Sequence, residues 1–143
     1  MQLPGLVRSS HSVGRNLWVF EWCTKYRFRM MNKFGNKNLV AACIRQVANR
    51  HRIRIMMLKV LFEHIHMIAQ LPHGKGDAWA VKLLKGASAR KLFQVKPSFL
   101  LRYPRRHFWS RGYYSHTIGV TDLQTQIEYA ERQEYHHGVL FRL

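Results

Sequence analysis

A chain of 143 residues is long enough for one domain with its own core and short for two, and 47% hydrophobic residues exclude a disordered basic tail. Its 24 Lys and Arg against 7 Asp and Glu leave a net charge of +17, which points to a polyanion: nucleic acid first, with a ribosome or an anionic lipid surface as alternatives. Cys23 and Cys43 form no C-x-x-C pair, which excludes a zinc ribbon or redox dithiol and suits a reducing cytoplasm.

Residues 1–15 read as a polar N-terminal arm without the apolar run of a signal peptide, and residues 16–143 as a single domain. Leu17–Tyr26, rich in Trp, Val, Phe and Tyr, reads as a strand. Asn38–His51 carries Leu39, Val40, Cys43, Ile44 and Val47 at the spacing of an amphipathic helix. Ile53–Leu61 is a second strand, joined through a turn at Phe62-Glu63 to a third at His64–Leu71. The segment Pro72-His73-Gly74-Lys75-Gly76 breaks the chain, and Asp77 is placed to cap a helix reaching about Phe93. A loop with Pro97 and Pro104 leads to an extended stretch at Phe108–Ile118. Thr121-Asp122-Leu123-Gln124 fits a capping box for a last helix, with Gly138 at its expected end. No stretch approaches the roughly 18 apolar residues of a membrane span. The order β-α-β-β-α-β plus a helix predicts an α+β fold of the split βαβ (ferredoxin-like) type, an antiparallel sheet with two helices on one face.

On the third strand, alternation puts His64, His66, Ile68 and Gln70 on one face and Ile65, Met67, Ala69 and Leu71 on the other, apolar one. Two imidazoles about 7 Å apart at Cα can converge on one ion. The motif alone is weak, because nine histidines in this chain give roughly 0.6 such pairs by chance. Half-exposed surface histidines are the alternative.

On the last helix, Leu123, Ile127, Ala130 and Glu134 form one stripe, its apolar members facing the core. Tyr129 lies about 200° round from Ile127, and Gln133 sits one turn along on the tyrosine's face. A tyrosine so placed is either merely exposed or a nucleophile. The latter needs nearby positive charge, since only about one phenol in a thousand is ionised at neutral pH. A cation held by His64 and His66 would supply it, the amide oxygen of Gln133 completing the ligand set, and open positions suit Mg2+ or Mn2+, with Zn2+ the alternative.

With these residues together, the chain resembles the single-tyrosine HUH transposases of small insertion sequences that move as single-stranded DNA. His64-Ile65-His66 matches the histidine-hydrophobic-histidine motif and Tyr129-Ala130-Glu131-Arg132-Gln133 the Tyr-x-x-x-Gln helix. Trp22-Cys23-Thr24-Lys25-Tyr26-Arg27, Leu84-Lys85-Gly86-x-Ser88-x-Arg90, and Trp109-Ser110-Arg111-Gly112-Tyr113-Tyr114 with Thr117-x-Gly119 agree in order from about residue 11 to 137. Where the family usually carries Pro-Asp before the first histidine, this chain has Phe62-Glu63, which keeps the charge and gives up the proline's rigidity.

The resemblance implies hairpin recognition at element ends, cleavage through a 5′-phosphotyrosine on Tyr129, and rejoining by a freed 3′-hydroxyl. It further implies a homodimer with composite active sites, in the cytoplasm of a prokaryote, at the nucleoid. Lys25, Arg27, Lys85, Arg90 and Arg111 are then candidates to hold the DNA backbone, and Tyr26, Trp109 and Tyr113 to stack on bases, with core packing the alternative for the aromatics. Two rivals remain: a domesticated HUH nickase tied to palindromes, and a noncatalytic RNA- or single-strand-binding module of the same fold, which would carry aromatics where this chain has its histidines.

Overall fold

The computed structural model describes residues 16–137 and 139–141, and among side chains it describes neither Ala130 nor those beyond Arg132. The expected arm at 1–15 and Gly138 therefore lie outside the described residues. The elements run β1 (Leu17–Cys23), a 3-10 turn (Lys25–Arg27), α1 (Phe34–Arg50), β2 (Arg54–Val60), β3 (His64–Gln70) and α2 (Asp77–Val95). A second 3-10 turn (Pro97–Leu101), β4 (Tyr114–Thr117), α3 (Val120–His137) and β5 (Val139–Phe141) complete the order. The antiparallel sheet runs β4-β1-β3-β2-β5. The first four strands are the expected split βαβ arrangement, and β5 extends it at the β2 edge. Three residues beside a glycine give no periodicity to read.

Alternation builds the sheet's two faces. Phe20, Trp22, Leu58, Val60, Ile65 and Met67 pack with Val40, Ile44 and Val47 of α1 and Val81, Leu84 and Leu92 of α2. Leu17, Val19, Met57 and Ile68 point the other way and pack with Leu123 and Ile127 of α3. A bulge between Ile55 and Met57 inserts one extra residue in β2, so that Ile55 and Leu58 both reach the first core. α1 ends with Ile53 N–H donating to Ala48 O (2.9 Å) and Arg52 at φ 59°, a Schellman-type reversal made without glycine.

Three expected boundaries move. Asp77 is the first residue of α2 rather than its cap, and its carboxylate accepts from the Ser115 hydroxyl at 2.6 Å, tying the helix to β4. The stretch 108–118 ladders only over Tyr114–Thr117, because Phe108 and Trp109 turn inward; Phe108 is enclosed by Phe93, Phe99, Tyr103 and Trp109. α3 begins at Val120, with Leu123 N–H on Gly119 O, so Thr121 lies inside the helix. Among the described residues, no helix is long and apolar enough to cross a membrane.

Candidate functional site

His64 and His66 stand on the face of β3 opposite α1 and α2, as the alternation requires; Ile65 between them is fully buried in the first core. Each imidazole has a carboxylate at Nδ1: Glu63 Oε1 at 2.6 Å from His64, Glu21 Oε1 at 2.7 Å from His66. A carboxylate only accepts, so a neutral imidazole paired this way carries its proton on Nδ1 and presents the Nε2 lone pair. Carboxylate-oriented histidine is the usual form of a metal ligand, because the partner fixes the tautomer and the ring's orientation. The donor set thus fits a divalent cation through two imidazole nitrogens. Among the described residues, no three His, Cys, Asp or Glu side chains cluster on one ion position. The remaining positions suit amide, water or phosphate oxygens; the side chain of Gln133, the expected amide ligand, lies outside the described residues.

Glu21 was missed in the sequence. It faces His66 only because β1 and β3 pair in the register Glu21↔His66, across 45 residues. The available signal was a lone acid in the strand Leu-Trp-Val-Phe-Glu-Trp-Cys, in a chain with only 7 Asp and Glu.

The turn before His64 is held without proline. The Phe62 ring has the Arg29 guanidinium 4.5 Å and the Lys37 ammonium 4.6 Å from its centroid, and Phe62 O accepts from Met31 N–H at 3.0 Å. Burial first, and the Arg29 charge second, push Lys37 below the usual lysine range. Two cations on this partly exposed aromatic ring contribute about 0.5–1 kcal/mol each.

A cavity of about 520 Å³ opens at the His64 end of the sheet, lined by Glu21, His64, Tyr26, Arg27, Tyr113 and Tyr114 among others. Thr24, fully buried, holds the Lys25–Arg27 turn against it: its N–H donates to Glu63 O at 2.8 Å and its hydroxyl lies 2.6 Å from Phe28 O. Tyr26 and Arg27 both take left-handed φ, 60° and 53°, at roughly 1–2 kcal/mol each for a residue with a β-carbon. The strain leaves the Tyr26 ring 69% exposed at the cavity edge.

The opposite wall is set by α2. The Lys85 ammonium donates to the carbonyls of Ser110 (2.5 Å), Arg111 (3.2 Å) and Gly112 (3.1 Å), and burial lowers its pKa from the ordinary lysine value. Ser88 Oγ, fully buried, accepts from the Trp109 indole N–H at 3.0 Å. The Lys-Gly-x-Ser pattern of α2 therefore ties down the Trp109–Gly112 segment. Of the expected backbone holders, Lys85 has its three N–H donors engaged in the loop. Arg27 lines the His64 cavity, Lys25 a neighbouring cleft, Arg90 a separate cavity of about 440 Å³ between α2 and residues 106–109, and Arg111 is exposed on the loop. Trp109 is 6% exposed and packs edge-on against Trp22 and Phe108; it is a core residue, not a stacking surface.

α3 lies across the same open face, with Leu123 and Ile127 buried against Ile68 of the histidine strand. Tyr129 is 58% exposed, as its angle from Ile127 requires, and it is not among the residues lining the His64 cavity. Among the described residues, the histidine strand and the tyrosine helix thus pack on one face of the sheet, with Tyr129 outside the lining of the His64 cavity.

Residues 18–133 match the family described as "Transposase IS200 like". The chain is 28% identical over 119 residues to the transposase for insertion sequence element IS200 of Salmonella typhimurium, covering 78% of each. It is 25% identical over 115 residues to the ISDra2 transposase TnpA of Deinococcus radiodurans, covering 78% of this chain and 79% of that protein. In fold it is similar to a candidate transposase of Deinococcus radiodurans R1 (TM-score 0.70, 22% identity, 89% of this chain and 97% of the other). It is also similar to a REP-associated tyrosine transposase bound to a REP hairpin (TM-score 0.57, 18% identity, 85% and 68%).

Proposed function

Because the chain belongs to the IS200-like transposase family, we propose that it cuts and rejoins single-stranded DNA at insertion-sequence ends, with Tyr129 as the nucleophile and His64, His66 and Gln133 as ligands of a divalent cation. The observation that carries this reading is the pair of carboxylate-oriented imidazoles on the open face of the sheet, beneath a helix that presents a tyrosine on its far side.

In cleavage the Tyr129 phenol oxygen attacks phosphorus and loses its proton to solvent. The bond from phosphorus to the 3′ oxygen breaks, and that oxygen leaves with the electron pair and takes up a proton as a 3′-hydroxyl. The 5′ phosphate stays joined to the tyrosine. Rejoining runs the other way: a 3′-hydroxyl attacks and the phenol is regenerated. Bound Mg2+ or Mn2+ supplies charge neutralisation at the phosphate oxygens and polarises the P–O bonds. Glu21 and Glu63 hold the imidazoles in the tautomer that ligates. Arg27 offers a charge to the backbone, while Tyr26 and Tyr113 offer faces for unpaired bases.

The reading extends to hairpins at the element ends, to a homodimer with composite sites, and to the nucleoid of a prokaryotic cytoplasm. The exposure of Tyr129 on the side of α3 away from its own sheet supports the dimer, because a phenol so directed meets a partner's histidines more readily than its own. An isologous pair makes two such sites.

The test is a denaturing gel of protein incubated with labelled single-stranded DNA and Mg2+. The wild type forms a covalent adduct that EDTA abolishes; Tyr129→Phe forms none and still binds the strand. An adduct from Tyr129→Phe would move the nucleophile to another tyrosine, and full cleavage in EDTA would remove the metal. Mixed dimers of Tyr129→Phe with His64→Ala/His66→Ala chains restore cleavage, with the adduct only on the histidine-mutant chain. Confirmed but inactive heterodimers would mean sites assembled within one chain.

A further inference from the structure

On the other side of the Lys25–Arg27 turn lies a second cleft, of about 380 Å³, closed by the segment 102–107. Lys25, Arg102, Arg105 and His107 line it together with Tyr26 and Tyr103, and among the described residues no carboxylate does. Tyr26, 69% exposed, also lines the His64 cavity and is the described lining residue that the two share.

The ring's position is held from several sides. Lys25 N–H donates to Phe108 O at 2.8 Å, Arg27 N–H to Thr24 O at 3.0 Å, and the Tyr103 hydroxyl to Lys25 O at 2.7 Å. Burial pushes the Tyr103 phenol up to about 12, so it stays a donor throughout the neutral range. Behind Tyr26 runs an aromatic stack. Phe28 lies 5.4 Å from the Tyr26 ring centroid and 5.5 Å from that of Tyr103, nearly parallel to the latter at 17°, with the Arg102 guanidinium 4.2 Å from the Phe28 ring. The turn is thus built ahead of binding, with a strained backbone holding an aromatic face in solvent between two openings.

We propose that this cleft is a second subsite for single-stranded DNA: Lys25, Arg102 and Arg105 hold the phosphates of a nucleotide along the strand from the one at His64, and Tyr26 is the stacking platform between them. The proposal rests on the reading of the His64 cavity as the cleavage site and extends it along the strand. Cations without a carboxylate among them suit a phosphate chain, and an exposed ring at the junction suits an unpaired base, whose face a duplex would keep stacked. A path of this kind lets the enzyme grip its substrate on both sides of the turn, independently of the metal.

The test compares fluorescence anisotropy of labelled oligothymidylates of about four and about sixteen nucleotides, the range of single-strand site sizes, on the full chain. A His64→Ala/His66→Ala background keeps the probe intact. Arg102→Ala/Arg105→Ala should lower affinity for the long strand about tenfold, make its log-salt slope shallower by about 1.4, and leave the short strand unchanged. Should the double variant fail to fold, Arg105→Glu, at an exposed side chain, should weaken the long strand, make its slope shallower by about 0.7 and leave the short strand unchanged. Tyr26→Ala should weaken the long strand and Tyr26→Phe restore it. Equal loss on short and long strands, no loss on either, or an equal loss on a blunt duplex overturns the subsite while leaving the cleavage reading intact. A wild-type chain that neither binds single strands nor forms the covalent adduct defeats both.

Discussion

Lys85→Met separates two roles that a basic residue can have in a DNA-processing domain. The lysine ammonium lies within hydrogen-bond distance of three carbonyls in Ser110, Arg111 and Gly112. Hydrogen bonds to a charged donor contribute about 1.5–3 kcal/mol each where both groups are well buried. Here burial opposes the charge, as the lowered pKa records, and the Arg111 and Gly112 carbonyls can turn to water when the ammonium is removed. The net loss is then about 1–2 kcal/mol, a fall of roughly 3–8 °C in Tm for a domain of this size. The effect on the reaction is expected to be larger, because the loop walls the His64 cavity and a displacement of about 1 Å at a reacting centre can cost about 100-fold. Single-turnover cleavage, thermal unfolding and strand-binding salt titrations, run side by side, measure all three. The expected pattern is slowed cleavage, lowered Tm and an unchanged salt slope. Wild-type Tm and single-turnover rate with a salt slope shallower by about 0.7 would make Lys85 a phosphate ligand and refute the loop-tie argument.

Glu21→Ala leaves His66 without its Nδ1 acceptor and should weaken metal activation of cleavage about 10–100-fold, read from the Mg2+ or Mn2+ concentration at half-maximal rate; an unchanged midpoint would dismiss the carboxylate. Phe62→Ala removes the ring clasped by Arg29 and Lys37 and should lower stability by about 1–2 kcal/mol, measured by urea denaturation, with replacement of Phe62-Glu63 by Pro-Asp recovering part of it. The Tyr103 phenol, at about 12 when folded and near 10 when unfolded, keeps its proton longer in the native state. Its contribution is therefore complete below about pH 10 and lost as pH rises toward about 12. Denaturation midpoints across that window should fall more steeply in the wild type than in Tyr103→Phe, and identical slopes would count against the buried hydrogen bond to Lys25.

Local backbone geometry made much of the site legible. A period of two residues along β3 was enough to set His64 and His66 on the face away from Ile65 and Met67. The 3.6-residue period of α3 likewise placed Tyr129 opposite Ile127, and both positions hold in the folded chain. The split βαβ order could be read because each element declares itself over eight or more residues, or by strong alternation, and the sheet pairing follows from few permitted connections. Contacts between segments distant in the chain were not legible. Lys85 reads as a candidate holder of the DNA backbone until α2 is set against the 110–112 loop, and Trp109 as either a stacking face or a core residue until Ser88 is found beneath it. Glu21 becomes a histidine partner only through the β1–β3 register, which depends on both faces of the sheet being buried at once, by α1 and α2 on one side and α3 on the other. Periodicity is a property of a single segment, whereas register and burial are settled by the free energy of the whole packed domain, so the faces that carry His64, His66 and Tyr129 were written locally and the partners that orient the imidazoles were decided by the tertiary structure.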